Sequence, residues 1–598
     1  MDNKPVRRLE VAERDTWNLR DIFAAPADWE AEYAAARAAA ASFEGAHRGK
    51  LGDAAQLLAA LRDRYALSLS VERLYCYARM KRDEDNGLTE SQALVSRAQS
   101  LAVEADTACS FLSPELSELP ESYLAETADS PAFADYRVFL TELIRMKPHT
   151  LSAREERLIA MSGEVGAAPG NIYDMLCDAD MKFPEVPGED GKMVELTHAG
   201  FIPLMMSRQK AVRDAAFRAL YQTYRGYASS IPAIYDASVK ADIFYARAAN
   251  FKTALDARLF PNHIPTSVYD NLVASVRRHL PALHRFVARN GRLIGAQPMT
   301  IRDVYVPAVE GFDIKLPFEQ AYDLVVECLA PLGTEYQEAL RAGRAARWID
   351  PYENAGKSPG AYSWGTYDTH PYVLLNYKEN LDSLLTIAHE MGHAMHSRYS
   401  NAAQPYPMAD YSLFVAEVAS TVNEVLTLRA LMARHTEREA AAFLTYHLLD
   451  GFRTTVFRQT MFAEFERASH DMAERGEALT VDALNGVYYR LNADYYASIE
   501  LDELIAYEWM RIPHFYRSFY VYQYATGFSA AMALAGGILR EGAPAVARYL
   551  RFLSAGGSVP PLEALRLAGV DMEKPESVEA ALAQFDELVE SYERLTDR

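Results

Sequence analysis

Apolar residues recur at every third or fourth position along most of this chain, the spacing that puts them on one face of an α-helix. The pattern covers residues 29–43, 54–80, 88–112, 133–161, 210–294 and 378 to the C-terminus. Ser113-Pro114 and Lys147-Pro148 interrupt it, because proline disfavours helical backbone at the residue before it. No fixed-period repeat is present, so a solenoid is not predicted. The pattern predicts an all-α, mainly helical fold.

A few short stretches depart from this helical pattern. Residues 183–201 place a Gly-rich turn between two β-favouring runs, which is typical of a hairpin. Residues 299–309 and 346–349 alternate like strands, and the Gly- and aromatic-rich segment 354–377 favours strands at 361–364 and 372–376. From these changes we predict an N-terminal helical domain, a helical linker subdomain and a large C-terminal domain. Their bounds are 1–113, 114–190 and 191–598.

Composition and charge narrow the class of protein. Half of the 598 residues are apolar and the formal net charge is −21, which argues against nucleic acid or an anionic membrane as partner. The longest lipid-like run, 528–539, would rise only about 18 Å as a helix, against roughly 30 Å for a bilayer core. The N-terminus has no apolar signal region, and the four dispersed cysteines indicate buried free thiols. We expect a cytoplasmic protein without an obligatory protein partner.

The strongest chemical signal is the sequence His-Glu-Met-Gly-His at residues 389–393. Two histidines four apart on a helix lie on one face, so both imidazoles can reach one tetrahedral metal ion. Glu390, beside the first histidine, is placed to take a proton from a water molecule. The alternative interpretation is a pair of core histidines bonded to carbonyl groups.

A catalytic zinc ion needs a third protein ligand. The extended motif HExxHxxGxxH fails here, because His396 and Tyr399 replace its glycine and third histidine. A second apolar helix, residues 412–432, carries Glu417 and Glu424 two turns apart on one face. We predict Glu417 as the third ligand and Glu424 as the acceptor that orients a ligand imidazole. The alternative for either glutamate is a solvated helix face.

Two further segments suggest parts of an active site. His514 is followed by Tyr516, Tyr520, Tyr522 and Tyr524, and such donors can stabilise the oxyanion of an acyl-transfer reaction. Most of these tyrosines are also explained as packed aromatic residues. The strand segment at 361–376 could pair with an extended peptide at its edge, or it could simply brace the metal helix.

Taken together, these motifs carry a family resemblance. They are AHEMGHAMHS (388–397), FVAEVASTVNE (414–424), IPHFYRSFYVYQYATG (512–527), GAYSWGTYDTHPYVLLNY (360–377), TWNLRDIF (16–23) and FLSAGGSVPP (552–561). The chain resembles oligoendopeptidase F of the thimet oligopeptidase-like zinc metallopeptidases. One departure is Asn18, where the family more often has aspartate.

The resemblance implies a specific site and activity. It implies one zinc ion per chain on His389, His393 and Glu417, with Glu390 as catalytic base. It pairs His514 with a tyrosine, for which Tyr520, Tyr522 and Tyr524 compete. It implies a helical ellipsoid cut by a deep channel, with a small sheet at its floor. Residues expected to contact substrate on that sheet are Gly360, Ala361 and Tyr362.

We therefore expect a zinc-dependent endopeptidase that cleaves internal bonds of short oligopeptides. A carboxypeptidase or dipeptidase on the same scaffold is one alternative, although no group that would capture a peptide terminus is identifiable. A helical peptide-binding or scaffold protein with a degenerate site is another. The intact set of two histidines and two glutamates argues against the scaffold protein.

Overall fold

Helices make up 73% of the structure, which confirms the fold class predicted from the apolar spacing. The computed structural model describes residues 6–597. Its α-helices are α1 Pro26–His47, α2 Ala54–Glu84, α3 Thr89–Cys109, α4 Leu112–Glu118, α5 Glu121–Asp129, α6 Arg137–Met146, α7 Ala153–Asp174, α8 His198–Met205, α9 Lys210–Gly226, α10 Ser230–Ala248, α11 Ala254–Leu259, α12 Thr266–Arg278, α13 Leu280–Leu293, α14 Phe318–Cys328, α15 Thr334–Ala345, α16 Leu381–Ala403, α17 Tyr406–Ala409, α18 Leu413–Arg434, α19 Arg438–Phe452, α20 Arg458–Glu474, α21 Val481–Tyr495, α22 Tyr522–Glu541, α23 Ala543–Leu553, α24 Pro561–Ala568 and α25 Pro575–Thr596.

Two small sheets interrupt the helices. The predicted hairpin is confirmed: β1 (Glu185–Pro187) pairs antiparallel with β2 (Met193–Glu195). The second sheet has the order β3-β5-β4, with β3–β5 parallel and β4–β5 antiparallel. Its strands are β3 Ile349–Asp350, β4 Tyr362–Trp364 and β5 Tyr372–Leu374. Strands therefore form at these three predicted places, but each is shorter than predicted, and β3 overlaps the range 346–349 only at Ile349.

The predicted strand at 299–309 is wrong. Residues Ile301–Tyr305 form a 3₁₀-helix instead. The Asp303 carboxylate accepts hydrogen bonds from both the backbone N–H and the hydroxyl of Thr300, each at 2.8 Å. This cap, in which Asp303 binds back to Thr300, favours a helical turn, and it outweighs the alternation of apolar residues.

The chain forms two units that each combine segments distant in sequence. The first unit comprises residues 1–150, 313–430 and 534–570, and the second comprises 151–312, 431–533 and 571–598. The predicted domains, with boundaries at 113 and 190, rest on composition along the chain, whereas these units rest on spatial proximity. Because the two divisions describe different properties, the predicted domains stay a prediction.

In the first unit, the three-stranded sheet packs on the N-terminal helices. Tyr372 and Leu374 of β5 are fully buried in a core that also contains Trp17 and Leu74. The Trp17 indole N–H donates to the Glu84 carboxylate at 2.8 Å, which satisfies a buried donor. Consequently β5 is a central strand held on its face by helix α2, while β4 lies at the edge of the sheet.

The second unit contains a buried, ionised glutamate. Glu508 is fully buried and accepts hydrogen bonds from Arg458 at 2.7 Å, Tyr488 at 2.7 Å and Arg511 at 3.2 Å. Burial alone would raise the pKa of Glu508, but the two guanidinium groups lower it to about 2. A buried charge is tolerated when it is paired and hydrogen-bonded in this way.

The structure also bears on the predictions about membrane-spanning segments and about the cysteines. Within residues 6–597, no helix is both long and apolar enough to cross a bilayer. The four cysteines are free thiols, and three of them, Cys76, Cys177 and Cys328, are buried. Cys109 is partly exposed.

Candidate metal centre

Helix α16 carries both histidines of the HExxH motif in the first unit. It begins at the Asn380 cap, whose side chain accepts from the Ser383 N–H at 2.8 Å. It ends before Gln404, which is extended because Pro405 follows it. The imidazoles of His389 and His393 project from one face, with 3.2 Å between their Nε2 atoms.

Glu417 on helix α18 completes a triangle of ligand atoms. Its Oε2 atom lies 3.4 Å from His389 Nε2 and 3.6 Å from His393 Nε2. Ligand atoms about 2.0–2.1 Å from a tetrahedral ion would be about 3.3–3.4 Å apart. These three residues also form the one compact His/Cys/Asp/Glu group found among the described residues. The donor set and its spacing therefore fit a divalent metal ion.

The second glutamate of α18 contacts the outer nitrogen of His389. His389 Nδ1 donates a hydrogen bond to Glu424 Oε1, which leaves Nε2 directed at the metal position. Burial opposes protonation of His389, but Glu424, Glu390 and Glu417 outweigh it and raise its pKa to about 9. In Glu417, the hydrogen bond with His393 lowers the pKa to about 2 despite burial. Both predicted glutamates thus lie beside the histidines of the HExxH motif.

Glu390 lies beside the ligand triangle and is buried. Burial raises the pKa of its carboxyl group above the usual range, and the adjacent histidines oppose that rise. A carboxylate with an elevated pKa is better suited to accept and return a proton near neutral pH.

His396 is separate from the metal group. It is 1% exposed, and its ring stacks on Tyr411 with centroids 3.6 Å apart. Burial lowers the pKa of His396 to about 3, so the ring is neutral. Its role is packing.

Three residues that support the site were missed by sequence analysis. Ser420 donates to the Glu417 carboxylate at 3.2 Å. Buried Asn423 donates to the Ala388 carbonyl at 3.2 Å and accepts from the Tyr336 hydroxyl at 3.1 Å. Gly392 lies where the backbones of the two helices approach closely. Polar residues inside the apolar stretch 414–428 were the available signal for Ser420 and Asn423.

Space for a ligand lies near helix α16, at the edge strand β4 and in a neighbouring cavity. Gly360 and Ala361 precede β4, whose outer edge has no partner strand among the described residues. The Tyr362 hydroxyl donates to Asp83 at 3.0 Å, so this side chain is anchored in the unit. A cavity of about 630 Å³ is lined by Trp364 at the end of β4 and by Ser397 of α16, among other residues. Its volume is in the range of ligand-binding cavities.

In the second unit, the tyrosines that follow His514 fall into two groups: those whose rings lie near His514 and those that pack elsewhere. The His514 ring lies 6.2 Å from Tyr520 and 6.0 Å from Tyr524, and these two tyrosine rings are 5.3 Å apart. Tyr522 is 2% exposed and packs against Tyr269. We call His514, Tyr520 and Tyr524 the donor cluster. Tyr516 stacks on Tyr173 at 4.2 Å and lies outside this cluster.

Comparison with known proteins places the chain in a family. Residues 203–584 match Peptidase family M3, and residues 115–183 match Oligopeptidase F. The chain is 42% identical to Oligopeptidase PepF of Bacillus subtilis, covering 98% of this chain and 88% of that protein. It is 38% identical to an Oligoendopeptidase F homolog of Lactococcus lactis, covering 99% of each.

Solved structures agree with these sequence matches. A putative peptidase from Chlamydophila abortus has a TM-score of 0.93 at 32% identity, covering 99% of this chain and all of that one. Oligoendopeptidase-F from Enterococcus faecium has a TM-score of 0.74 at 35% identity, covering 95% and 99%. The predicted resemblance is confirmed: the chain belongs to peptidase family M3 and is a metallo-oligopeptidase of the oligoendopeptidase F group.

Proposed function

We propose that this metallo-oligopeptidase is a zinc-dependent endopeptidase that cleaves internal bonds of short peptides. The observation that carries the proposal is the triangle of His389, His393 and Glu417 ligand atoms, with edges of 3.2, 3.4 and 3.6 Å. Two imidazoles and one carboxylate are a ligand set of catalytic zinc sites, in which a fourth position stays open. The Glu417 side chain is half-exposed, so the triangle can be reached from solvent on this side.

We assign the remaining steps of the reaction to residues around the ligand triangle. A bound zinc ion supplies a Lewis acid that polarises the scissile carbonyl and lowers the pKa of water to about 7. Glu390 takes the proton from the attacking water and delivers it to the leaving amine. Glu424 holds the His389 ring through Nδ1 and so fixes the tautomer that presents Nε2.

We assign the stabilisation of the oxyanion to His514 together with Tyr520 or Tyr524. Support for this assignment comes from the donor chemistry of an imidazole and two phenols and from the clustering of these three rings. Tyr522 is the weakest candidate, because its side chain is buried against Tyr269.

Short peptides are the proposed substrates. The names of the Bacillus and Lactococcus relatives refer to oligopeptide cleavage. An extended peptide can add to the edge of β4 through backbone hydrogen bonds, with side-chain pockets providing specificity. Gly360, Ala361 and the backbone of Tyr362 are the residues that we assign to this contact.

The base is tested by Glu390→Gln with a quenched fluorescent peptide and metal analysis. We expect turnover to fall by roughly two to four orders of magnitude while the zinc content stays at that of the wild type. Asp382→Asn, on the exposed first turn of the same helix, makes the same change in charge and should leave turnover unaltered. A fully active Glu390→Gln protein with bound zinc would contradict the proposal.

Endopeptidase specificity is tested with a peptide acetylated at its N-terminus and amidated at its C-terminus. Internal cleavage of this substrate, identified by mass spectrometry, is the expected result. A carboxypeptidase or dipeptidase would leave it intact. A scaffold protein with a degenerate site would show neither bound zinc nor chelator-sensitive hydrolysis.

A further inference from the structure

The segment that carries the donor cluster alternates between exposed and anchored residues. His514, Tyr520 and Tyr524 are partly exposed, whereas Phe515 and Phe519 are 1% exposed. Phe515 packs on α20, with its ring 5.5 Å from Phe462 and 5.0 Å from Phe465. The buried side chains of Phe515 and Phe519, which lie in sequence between His514 and Tyr520, therefore anchor the segment that carries the partly exposed donors.

The Phe519 backbone adopts a conformation that a phenylalanine does not favour. Its φ angle is +52°, in the left-handed region that bulky residues rarely occupy. Such a conformation persists only where the surroundings fix it. Here the ring is held between His470, at 4.5 Å, and Tyr269, at 6.1 Å. The next residue is Tyr520, so the turn at Phe519 determines where the Tyr520 side chain points.

A buried carboxyl group also holds this turn. The Phe519 N–H donates to Glu466 Oε1 at 2.9 Å. Glu466 is fully buried on the face of α20 that contacts the segment, and its Oε2 atom has no hydrogen-bond partner among the described residues. Burial raises the pKa of Glu466 well above its usual range. A fully buried carboxyl group is costly unless it is hydrogen-bonded, and among the described residues the one hydrogen bond to the Glu466 side chain comes from the Phe519 amide.

We propose that Glu466 is a positioning residue for the donor cluster: it holds the Phe519 amide in the left-handed turn that places Tyr520 against His514. The two rings are nearly parallel, at an interplanar angle of 9°. The relevance of this contact for turnover rests on the proposed function of the cluster. The contact itself lies within one unit and does not depend on that function.

Three substitutions separate positioning from simple packing. Glu466→Gln keeps the shape of the side chain, and its amide oxygen still accepts from the Phe519 N–H. Glu466→Met keeps the length but removes the acceptor, and Glu466→Asp keeps the acid but shortens it by one methylene. We expect kcat to fall about tenfold in the Met and Asp variants with little change in KM, and to stay within about twofold of wild type in the Gln variant. If the Met variant does not fold, the Asp variant provides the same comparison.

A second measurement follows Tyr520 independently of activity. In protein labelled with 3-fluorotyrosine, Tyr520→Phe assigns the ¹⁹F resonance of Tyr520. We expect that resonance to move in Glu466→Met and Glu466→Asp and to stay in place in Glu466→Gln. Glu464→Gln is the control, because Glu464 lies on the same helix but accepts from Arg277 and Tyr495 instead.

The outcomes distinguish the positioning role of Glu466 from the catalytic role of the donor cluster. An unmoved Tyr520 resonance in a folded Met or Asp variant overturns the positioning role, whatever happens to kcat. Equal losses of kcat in the Gln and Met variants overturn it as well, because the acceptor would then be irrelevant. A moved resonance with unchanged kcat, in a protein whose Tyr520→Phe and His514→Ala variants are also fully active, supports positioning and removes the catalytic role of the cluster.

Discussion

A Cβ atom on Gly392 would lie 2.6 Å from the Cα atom of Ser420 and 2.7 Å from the Ala419 carbonyl oxygen. These contacts are with backbone atoms, which cannot rotate away as a side chain can. Gly392 therefore allows α16 and α18 to approach closely. This approach brings Glu417 within reach of the two histidines.

We predict that Gly392→Ala separates the two helices and weakens the metal site. Overpacking of this kind costs about 1–3 kcal/mol, and we expect zinc affinity to fall together with the melting temperature. The measurements are a zinc titration and calorimetry. Gly45→Ala is the matched control: Gly45 is in helix α1 and a Cβ there would have no neighbour within 4 Å, so stability should be unchanged or slightly higher. Normal zinc binding by Gly392→Ala would contradict the prediction.

The two glutamates of α18 should differ in their effect on metal binding. Glu417→Ala removes a ligand and should abolish stoichiometric zinc binding after dialysis. Glu424→Ala removes the acceptor for His389 Nδ1 and should weaken affinity by about 10- to 100-fold. Metal analysis and competition with a chelator measure both effects, with the exposed Glu335→Ala of α15 as control. Equal zinc retention in the Glu417 and Glu424 variants would remove Glu417 from the ligand set.

The tyrosines that follow His514 should separate into two groups. Tyr520→Phe and Tyr524→Phe each delete a hydroxyl of the donor cluster, and the one that serves the oxyanion should lose roughly 100-fold or more in kcat. Tyr522→Phe changes a residue that packs against Tyr269 and should retain kcat. Steady-state kinetics on one peptide measures all three. A large loss in Tyr522→Phe alone would reverse this assignment.

Glu508 should make the protein sensitive to acid. Its pKa of about 2 in the folded protein lies below the unfolded value of about 4.3. The stabilisation is therefore fully present above about pH 4.3 and lost as the pH falls towards 2. Glu508→Gln leaves Arg458 and Arg511 without a carboxylate and should lower the free energy of unfolding by about 3–5 kcal/mol at pH 7. Urea denaturation should show that this deficit shrinks below pH 4; a constant deficit would contradict the prediction.

Glu466 should have the opposite pH dependence. Its pKa is raised on folding, so the folded protein retains a proton that the unfolded chain releases. Stability linked to this group is therefore lost as the pH rises above the unfolded value. Glu466→Gln has no such proton, so its melting temperature relative to wild type should increase between pH 5 and pH 8. A difference independent of pH would show that folding does not raise the pKa of Glu466.

Much of the fold and the site was predictable from local sequence. Helical periodicity gave α1, α2 and α3 to within a few residues, and proline at 405 marked the end of α16. The spacing of His389 and His393 defines a metal pair because α-helix geometry alone puts them on one face. The strand predicted at 299–309 was wrong, because a side-chain cap at Thr300 decided its conformation.

Other features depended on contacts between segments distant in sequence. Nothing local distinguishes Tyr522 from Tyr520; their burial differs because α12 supplies Tyr269 to one and not to the other. The raised pKa of Glu466 and the lowered pKa of Glu508 are likewise invisible in the sequence, since both are glutamates within apolar, aromatic segments. The guanidinium groups of Arg458 and Arg511 lower the pKa of Glu508, whereas burial raises the pKa of Glu466 despite the hydrogen bond from the Phe519 amide.

The sequence by itself thus determined which residues we propose for the chemistry: two histidines and a base on one helix, and two glutamates on the next. Local geometry fixes such groups because the residues share one helix. Only the tertiary structure decided how the helices meet, since the 3.4 and 3.6 Å distances to Glu417 depend on the close approach at Gly392. Side-chain packing and charge across segments also decided which buried carboxyl groups are ionised and which tyrosines lie beside His514.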